Sequence, residues 1–198
     1  MNITYVTGNI AKIDSARMYL EPLGINVDNI KMEIPEIQAD TCEEVATYSA
    51  KYARDKLNKT VLKNDSGLFI EALNGFPGVY THYVDDTLGE DGILKLLDGV
   101  ENRKAKFIEV YAYCEVGKEP VLFKSITEGT ISKEKSGTYG WSWDFIFIPD
   151  GYEKTLGNYD DEERYKMWDE TGLKDLANYL KEKQDDWFKR KTKRSISK

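Results

Sequence analysis

Histidine and cysteine are scarce in this sequence, and their scarcity limits the chemistry that it can perform. Among 198 residues there is one histidine, His82, and there are two cysteines, Cys42 and Cys114. One histidine cannot by itself complete a Cys/His metal site or a serine-type triad, so histidine-based nucleophilic catalysis is disfavoured. The cysteines fall in different predicted elements without metal-ligand spacing, and both are expected to be free thiols.

Long apolar runs are also missing. No stretch approaches the roughly 20 apolar residues that cross a bilayer, and the amino terminus lacks the basic-then-apolar order of a signal peptide. The net charge of −7 argues against nucleic acid or a membrane surface as the main partner, although a local group of lysines can still bind one nucleotide. We therefore expect a cytoplasmic protein.

The composition is that of a folded chain, with 32% charged and 40% hydrophobic residues. The length fits one domain or two joined lobes, and we assign residues 1–183 to a single domain and residues 184–198 to a basic carboxyl-terminal tail. Residues 189–198 hold six basic side chains and no acid, which predicts a solvated, frayed segment. A weak contact with RNA or a partner protein is the alternative.

Hydrophobic periodicity and turn residues predict an α/β fold. Strand–helix units at the start and a run of antiparallel strands later indicate one mixed sheet. The predicted helices are 11–23, 41–57, 89–98 and 169–183. The predicted strands are 2–6, 26–32, 60–63, 67–69, 105–115, 121–128, 129–133 and 143–148.

A strand-to-helix junction near the amino terminus carries the first signal of a site. The strand that ends at Val6 runs into Thr7, Gly8 and Asn9, and the next helix begins with Lys12 in its first turn. Gly8 allows a ligand to approach the backbone, and a helix amino terminus presents free N–H groups and a positive dipole end. A lysine opposes that dipole unless an anion lies between them. The junction therefore indicates a phosphate site, with an ordinary turn and a solvated lysine as the alternative.

An acid at the end of an apolar strand carries the second signal. Asp65 follows the short strand Thr60–Leu62 and precedes Ser66 and Gly67. Carboxylates are rarely buried without a partner, so this position suggests a metal, another cation or a proton-transfer role. The alternative is a turn in which Asp65 caps its own backbone.

Five segments of the sequence, taken in order, resemble one family. They are TGNIAK at 7–12, PEIQ at 35–38, AK at 50–51, NDSGLFIEALNGFPGVY at 64–80 and WSWDFIFIPDGYEKT at 141–155. Together they resemble the inosine triphosphate pyrophosphatase family, which hydrolyses noncanonical purine nucleoside triphosphates. The resemblance covers nearly the whole chain. It implies an elongated mixed β-sheet with flanking helices, two lobes around a central cleft, and a homodimer.

The resemblance also implies roles at the phosphate end of the cleft. The residues that it assigns to phosphate binding are Thr7, Gly8, Asn9, Lys12, Lys51 and Ser66. Glu36 and Asp65 are the implied ligands of Mg²⁺, and Asp65 is also the implied base that activates the attacking water. Asn64 stands where many members carry a second acid, which removes one negative charge near the metal.

For the base, the resemblance points to the segment Trp141, Ser142, Trp143 and Asp144. An aromatic ring there would stack on a purine, while Asp144 and backbone groups would read its edge. Alternating aromatic residues are also typical of a packed strand, so packing is the alternative for both tryptophans. Arg164 replaces a lysine of the family and is a further candidate for substrate binding.

The chain departs from the family at the start of its last predicted helix. Members carry Ser-His-Arg where this chain has Trp168, Asp169 and Glu170, and an acid expected upstream is Asn158. Two acids thus replace two cations, which would repel a triphosphate unless a metal or a shifted helix intervenes. We predict a Mg²⁺-dependent hydrolase that converts nucleoside triphosphates to monophosphate and pyrophosphate. The alternatives are a catalytically weakened nucleotide-binding protein and a pyrophosphatase for another nucleotide.

Overall fold

The computed structural model describes the backbone of residues 1–196 and the side chains of residues 1–187 and 189. A seven-stranded mixed sheet forms its centre, in the order β2-β1-β3-β5-β6-β7, with β4 paired to β3. The strands are β1 (Asn2–Val6), β2 (Asn26–Ile30), β3 (Val61–Ile70), β4 (Pro77–Gly78), β5 (Lys104–Cys114), β6 (Val121–Ile131) and β7 (Phe147–Pro149). Strand β1 is parallel to β2 and β3, and the other pairs are antiparallel.

Six helices flank the sheet in the described part of the chain. They are α1 (Ile10–Leu20), α2 (Cys42–Leu57), α3 (Thr81–Thr87), α4 (Gly89–Leu96), α5 (Asp161–Tyr165) and α6 (Thr171–Ile196). Helices α1 and α6 bury their apolar residues with Tyr5 and Leu62 on one face of the sheet. Helix α2 packs on the other face through Ala46, Ala50 and Ala53, none of which is exposed. Because these side chains are small, α2 lies close to the strands.

The sheet joins two lobes, because β3, β5 and β6 are 10 or 11 residues long and enter both. One lobe contains β1, β2, α1 and α6, and the other contains α3, α4 and β7. Strand β1 pairs with β3 only at Val61 and Leu62, and β4 pairs with β3 only at Leu68 and Phe69. The edge of β3 between these points faces a cleft between the lobes. The predicted fold class is therefore confirmed.

Two predicted strand breaks are wrong, for the same physical reason. The predicted strands 60–63 and 67–69 are replaced by the single strand β3 (Val61–Ile70), and the predicted strands 121–128 and 129–133 are replaced by the single strand β6 (Val121–Ile131). A Cβ atom added at Gly67 would lie 2.3 Å from the carbonyl oxygen of Gly78, and one added at Gly129 would lie 2.3 Å from that of Ile148. Each glycine therefore admits a neighbouring backbone and does not end its strand.

The predicted strand 143–148 is also wrong. Residues Ser142–Phe145 form a short 3-10 turn, and only Phe147–Pro149 is a strand. Ser142 has a φ of +57°, and the Asp144 carboxylate accepts a hydrogen bond of 3.2 Å from the Trp141 N–H. Trp141 and Trp143 alternate with Ser142 in this capped turn as they would in a strand, and this alternation is why a strand was predicted. Helices α3 and α5 were not predicted.

The last predicted helix ends too early, because α6 continues to Ile196. Residues 184–196, which were assigned to the basic tail, thus continue the helix, and residues 197–198 lie outside the described residues. Gln184 donates a hydrogen bond to the Leu23 carbonyl oxygen. Cys42 and Cys114 are free and buried, as predicted. Within the described residues, no helix combines the length and apolar character needed to cross a membrane.

Candidate active site

A cleft of about 650 Å³ lies between the two lobes, which is a usual size for a small-molecule site. Its floor is formed by β3, β5 and β6, with Ser66, Phe107, Glu109, Tyr111, Ser125 and Thr127. One wall is the amino-terminal half of α1, and the opposite wall is α3 with the 141–144 turn. The segment from α5 to the start of α6 closes the remaining side.

The amino terminus of α1 opens on this cleft. Asn9 caps the helix, since its Oδ1 accepts from the Lys12 N–H at 3.3 Å, and the Thr7 hydroxyl accepts from the Asn9 N–H at 3.1 Å. No acid lies in the first turn of α1, so the positive end of its dipole is available to an anion. Gly8 is not required by close packing, because an added Cβ would meet only the Lys31 side chain, at 3.4 Å.

A hydrogen-bonded network lies beside this helix terminus. The Lys12 ammonium lies 2.9 Å from Glu109 Oε1, which also accepts from Asn64 Nδ2 at 2.7 Å. The Tyr111 hydroxyl donates to Glu109 Oε2 at 2.7 Å, and the Tyr5 hydroxyl donates to Asn64 Oδ1 at 2.9 Å. The charge of Lys12 is thus balanced inside the cleft before any ligand enters.

Asp65 lies on the opposite face of β3 from Ser66, because side chains alternate along a strand. The Cys42 thiol at the start of α2 lies near the Asp65 carboxylate and favours the ionised form. Burial raises the pKa of Asp65 to about 6, against the opposing effects of Cys42, Lys63 and Lys12. Burial also raises the pKa of the Cys42 thiol, so this thiol stays protonated.

The second oxygen of Asp65 is the chemically informative atom. Oδ2 is buried and has no hydrogen-bond partner among the described residues. An unpaired buried carboxylate oxygen is unfavourable, so such an atom indicates a missing cation or a proton donor. The Asx-turn alternative is wrong, since Asp65 lies inside β3 and not in a turn.

At the far end of the cleft, the two tryptophans differ in exposure. Trp141 is 66% exposed, whereas Trp143 is 7% exposed and packs in the core of the second lobe. Trp143 therefore fits the packing alternative, and Trp141 has the free ring. Ser142 donates to Asp85 at 2.6 Å, and Asp144 forms an ion pair with Arg164.

Arg164 is enclosed by acids and small groups. It pairs with Asp144 and also with Asp161, and a Cβ at Gly140 would overlap its guanidinium group. Its Nε is buried without a hydrogen-bond partner in the described part of the protein. Both cations of the cleft, Lys12 and Arg164, are therefore paired with carboxylates.

Five predicted site residues do not line the cleft: Thr7, Gly8, Glu36, Lys51 and Asp65. Lys51 lies on the outer side of α2 and pairs with Glu119 at 3.0 Å, and Glu36 is exposed in the segment between β2 and α2. Lys51, on α2, lies on the same side of the sheet as Asp65. The roles of these five residues in phosphate and metal binding stay predictions.

The segment 168–170, where the chain departs from the family, forms part of the cleft wall. Asp169 Oδ2 accepts from the Ile126 N–H at 2.8 Å, and Oδ1 accepts from the Thr171 N–H at 3.1 Å. Asp169 therefore attaches the start of α6 to the edge of β6. Glu170 accepts a hydrogen bond from Tyr19. Trp168 packs edge-to-face on Phe107 and parallel to Phe147, with ring centroids 5.2 and 6.5 Å apart.

The sequence interpretation missed several residues of the cleft. They are Ser15, Asp85, Phe107, Glu109, Tyr111, Ser125 and Thr127. One of them had a readable signal, because Glu109 is an acid within the otherwise largely apolar strand segment 107–114. An acid at such a position needs a partner.

These features define an α/β protein with a nucleotide-sized cleft, a helix terminus suited to an anion and a buried carboxylate. The chain belongs to the Ham1 family, whose model matches residues 3–169. It is 46% identical over 182 residues to the dITP/XTP pyrophosphatase of Methanopyrus kandleri, which covers 91% of this chain and 97% of the relative. It is 45% identical over 183 residues to that of Thermococcus kodakarensis, which covers 92% and 98%.

A solved structure agrees with these matches. The Ham1 protein of Staphylococcus aureus superposes with a TM-score of 0.80 at 27% identity, over 92% of this chain and 100% of that one. The family resemblance predicted from the sequence motifs is thereby confirmed. The chain is an enzyme, a hydrolase that acts on acid anhydrides.

Proposed function

We propose that this enzyme hydrolyses noncanonical purine nucleoside triphosphates, such as ITP, dITP and XTP, to the monophosphate and pyrophosphate. The observation that carries the proposal is the unpaired, buried Oδ2 of Asp65, which lies next in sequence to Ser66 of the nucleotide-sized cleft. Relatives named dITP/XTP pyrophosphatase that match more than 90% of the chain support the substrate class.

The chemistry follows from the residues. Lys12 and the first N–H groups of α1 bind phosphate oxygens, and the Ser66 hydroxyl donates a further hydrogen bond. Asp65 has a pKa raised to about 6, so near neutral pH it is ionised but basic enough to accept a proton from the attacking water. Trp141 offers its exposed ring to the base.

Mg²⁺ is the proposed cofactor, and the residues fit it. The described residues contain no group of three or more His, Cys, Asp or Glu side chains that could hold a metal by itself. Mg²⁺ needs no such group, because one or two carboxylates with waters and substrate phosphates usually hold it. Asp65 and Glu36 are the proposed ligands, and bound Mg²⁺ would neutralise phosphate charge.

The enzyme is also proposed to act as a cytoplasmic homodimer. Tyr80, Tyr83 and Leu88 expose apolar surface on and beside α3, as a subunit contact requires. The resemblance to the inosine triphosphate pyrophosphatase family is the other support.

The proposed function predicts a specific product and a metal requirement. With ITP, dITP and XTP, the enzyme should release pyrophosphate and monophosphate in equal amounts, at rates well above those with ATP. Excess chelator should stop turnover, and added Mg²⁺ should restore it. Product separation by ion-exchange chromatography checks the result. Orthophosphate and diphosphate as products, or full turnover in chelator, would contradict the proposal.

A changed nucleotide preference is the second candidate, and the charge of the cleft favours it. Seven acids line the cleft and its two cations are already paired. The acids are Asp14, Asp85, Glu109, Asp144, Asp161, Asp169 and Glu170. A triphosphate bound here needs its own cations, and bases that present hydrogen-bond donors suit the acids best.

Replacing Glu170 by glutamine tests this charge effect. We expect the Michaelis constant for ITP to fall by about threefold to tenfold at low salt, because one nearby like charge is removed. The effect should shrink at high salt, and kcat should change little. Asp175→Asn, which removes an exposed charge from the adjoining helix α6, is the matched control. An unchanged Michaelis constant at both salt concentrations would show that Glu170 does not face the triphosphate.

A further inference from the structure

One carboxylate in the cleft receives donors from three different elements. Glu109 on β5 accepts from Lys12 on α1 at 2.9 Å, from Asn64 on β3 at 2.7 Å and from Tyr111 on β5 at 2.7 Å. Each oxygen therefore has at least one partner. Charge-assisted hydrogen bonds are stronger than neutral ones, so these contacts fix the carboxylate.

The orientation of Asn64 is set independently of Glu109. Asn64 is 5% exposed, and its Oδ1 accepts from Tyr5, which is not exposed at all. Because the amide oxygen is engaged in this way, the amide nitrogen points at Glu109. A buried network thus holds an ionised carboxylate in one position at the cleft floor.

The Lys12 ammonium is the mobile member of this network. A lysine on a surface helix samples many rotamers and gains little from an exposed ion pair. Here the side chains of Lys12 and Glu109 are only 30% and 24% exposed, and Glu109 is fixed by the other donors. The ion pair therefore keeps the ammonium directed into the cleft.

Register places Glu109 directly across from Ser66, and Asn64 directly across from Tyr111. Opposite residues of an antiparallel pair share one face, so positions 64 and 109 lie diagonally on the cleft floor. A carboxylate at either position can reach the same ammonium group.

We infer that Glu109 is a positioning residue for the phosphate site. It holds Lys12 over the cleft floor and performs from β5 what a carboxylate at position 64 would perform from β3. The inference rests on the proposed function for its substrate. It goes beyond that function because it assigns a role to a residue outside every motif of the resemblance.

Kinetics of exchanged residues test the inference. With ITP and Mg²⁺, Glu109→Asn should raise the Michaelis constant about tenfold, a coupling typical of contacting residues, and should change kcat less. The exchange variant Asn64→Asp/Glu109→Asn restores a carboxylate to the network and should return within about threefold of the parent. Glu128→Gln, an exposed acid on β6, is the matched control and should behave as the parent does.

A double-mutant cycle separates positioning from a merely structural role. In a Lys12→Met background, Glu109→Asn should have no further effect on the Michaelis constant, because its partner is gone. If Glu109→Asn raises the Michaelis constant equally in the parent and in the Lys12→Met background, the inference is wrong. It is also wrong if the exchange variant is as impaired as Glu109→Asn. A Glu109→Asn variant with the Michaelis constant and kcat of the parent would also overturn the inference. Thermal unfolding of each variant checks that the fold survives.

Binding of inorganic tripolyphosphate, measured by calorimetry with Mg²⁺, keeps the two proposals apart. Affinity should fall about tenfold in Glu109→Asn and recover in the exchange variant. If the parent cleaves no nucleoside triphosphate, the proposed function fails, and these affinities still decide the role of Glu109. If the parent cleaves ITP and the affinities do not differ, only the inference fails.

Discussion

Replacing Asp65 by asparagine should abolish turnover and yet make the metal-free protein more heat-resistant at neutral pH. The loss of the base should lower kcat by about 10²–10⁴-fold. The gain in melting temperature has a different origin, because asparagine removes a desolvated charge whose Oδ2 has no partner in the described residues. Steady-state kinetics with Mg²⁺ and thermal unfolding in chelator measure the two effects.

The pH dependence of that gain follows from the raised pKa of Asp65, about 6 in the folded protein against about 3.9 in an unfolded chain. Above pH 6 the carboxylate is ionised in both states, and burial disfavours the folded one. As the pH falls from about 7 to about 4, the folded protein binds the proton first, so the parent is stabilised. The advantage of Asp65→Asn should therefore be largest above pH 7 and shrink towards pH 4.

Two outcomes would contradict this account of Asp65. A variant within tenfold of the parent rate would mean that Asp65 is not the base. A lower melting temperature at pH 7.5 would mean that the ionised carboxylate stabilises the fold. The turnover of the parent should also fall as the pH drops below about 6, because the protonated acid cannot accept a proton.

Replacing Gly67 by alanine should destabilise the fold, because the new Cβ would lie 2.3 Å from the carbonyl oxygen of Gly78. That atom belongs to backbone and cannot rotate away, so β4 or β3 must shift. We expect a loss of about 1–3 kcal/mol in the free energy of unfolding, and each kcal/mol should lower the melting temperature by about 2–4 °C at this chain length. Chemical denaturation and calorimetry measure both quantities.

Ser66→Ala is the matched control for stability, since the side chain next to Gly67 is exposed and its removal should change the free energy by less than about 0.5 kcal/mol. Equal free energies of unfolding for Gly67→Ala and the parent would show that β4 can shift away from position 67 without destabilising the fold. It would then be wrong to attribute this glycine to the close approach of the two strands.

Much of the fold could be predicted from the sequence, because hydrophobic periodicity is a local property. The elements β1 and α2 were found nearly to the residue, since each has clear apolar spacing and turn or cap residues at its ends. The continuity of β3 through Gly67 could not be found, because the reason for the glycine is a carbonyl group eleven positions further along the chain. For the 141–144 turn, a local pattern fitted two structures equally well.

The sequence predicted the site residues that lie within the motifs of the family resemblance. Asn9, Lys12 and Ser66 come together in the cleft, as the motif order implied. The resemblance assigned Lys51 to phosphate binding, but its neighbours Ala50 and Ala53 pack on the sheet, and Lys51 lies on the outside of α2. Glu109 was missed because its partner Asn64 is 45 residues away, and strand register alone brings them together.

The small side chains on the inner face of α2 have a consequence for the acidity of the site. Ala46, Ala50 and Ala53 recur at helical spacing and set how closely the helix rests on the sheet. Cys42, in the first turn of the same helix, is buried and lies near Asp65. Position 53 lies about 16 Å from Cys42 along the helix axis. A bulkier residue there would tilt α2 away from the sheet and let water reach the Asp65 carboxylate. The size of the inner side chains of α2 thus sets how deeply Asp65 is buried, and burial in turn sets how strongly Asp65 holds its proton.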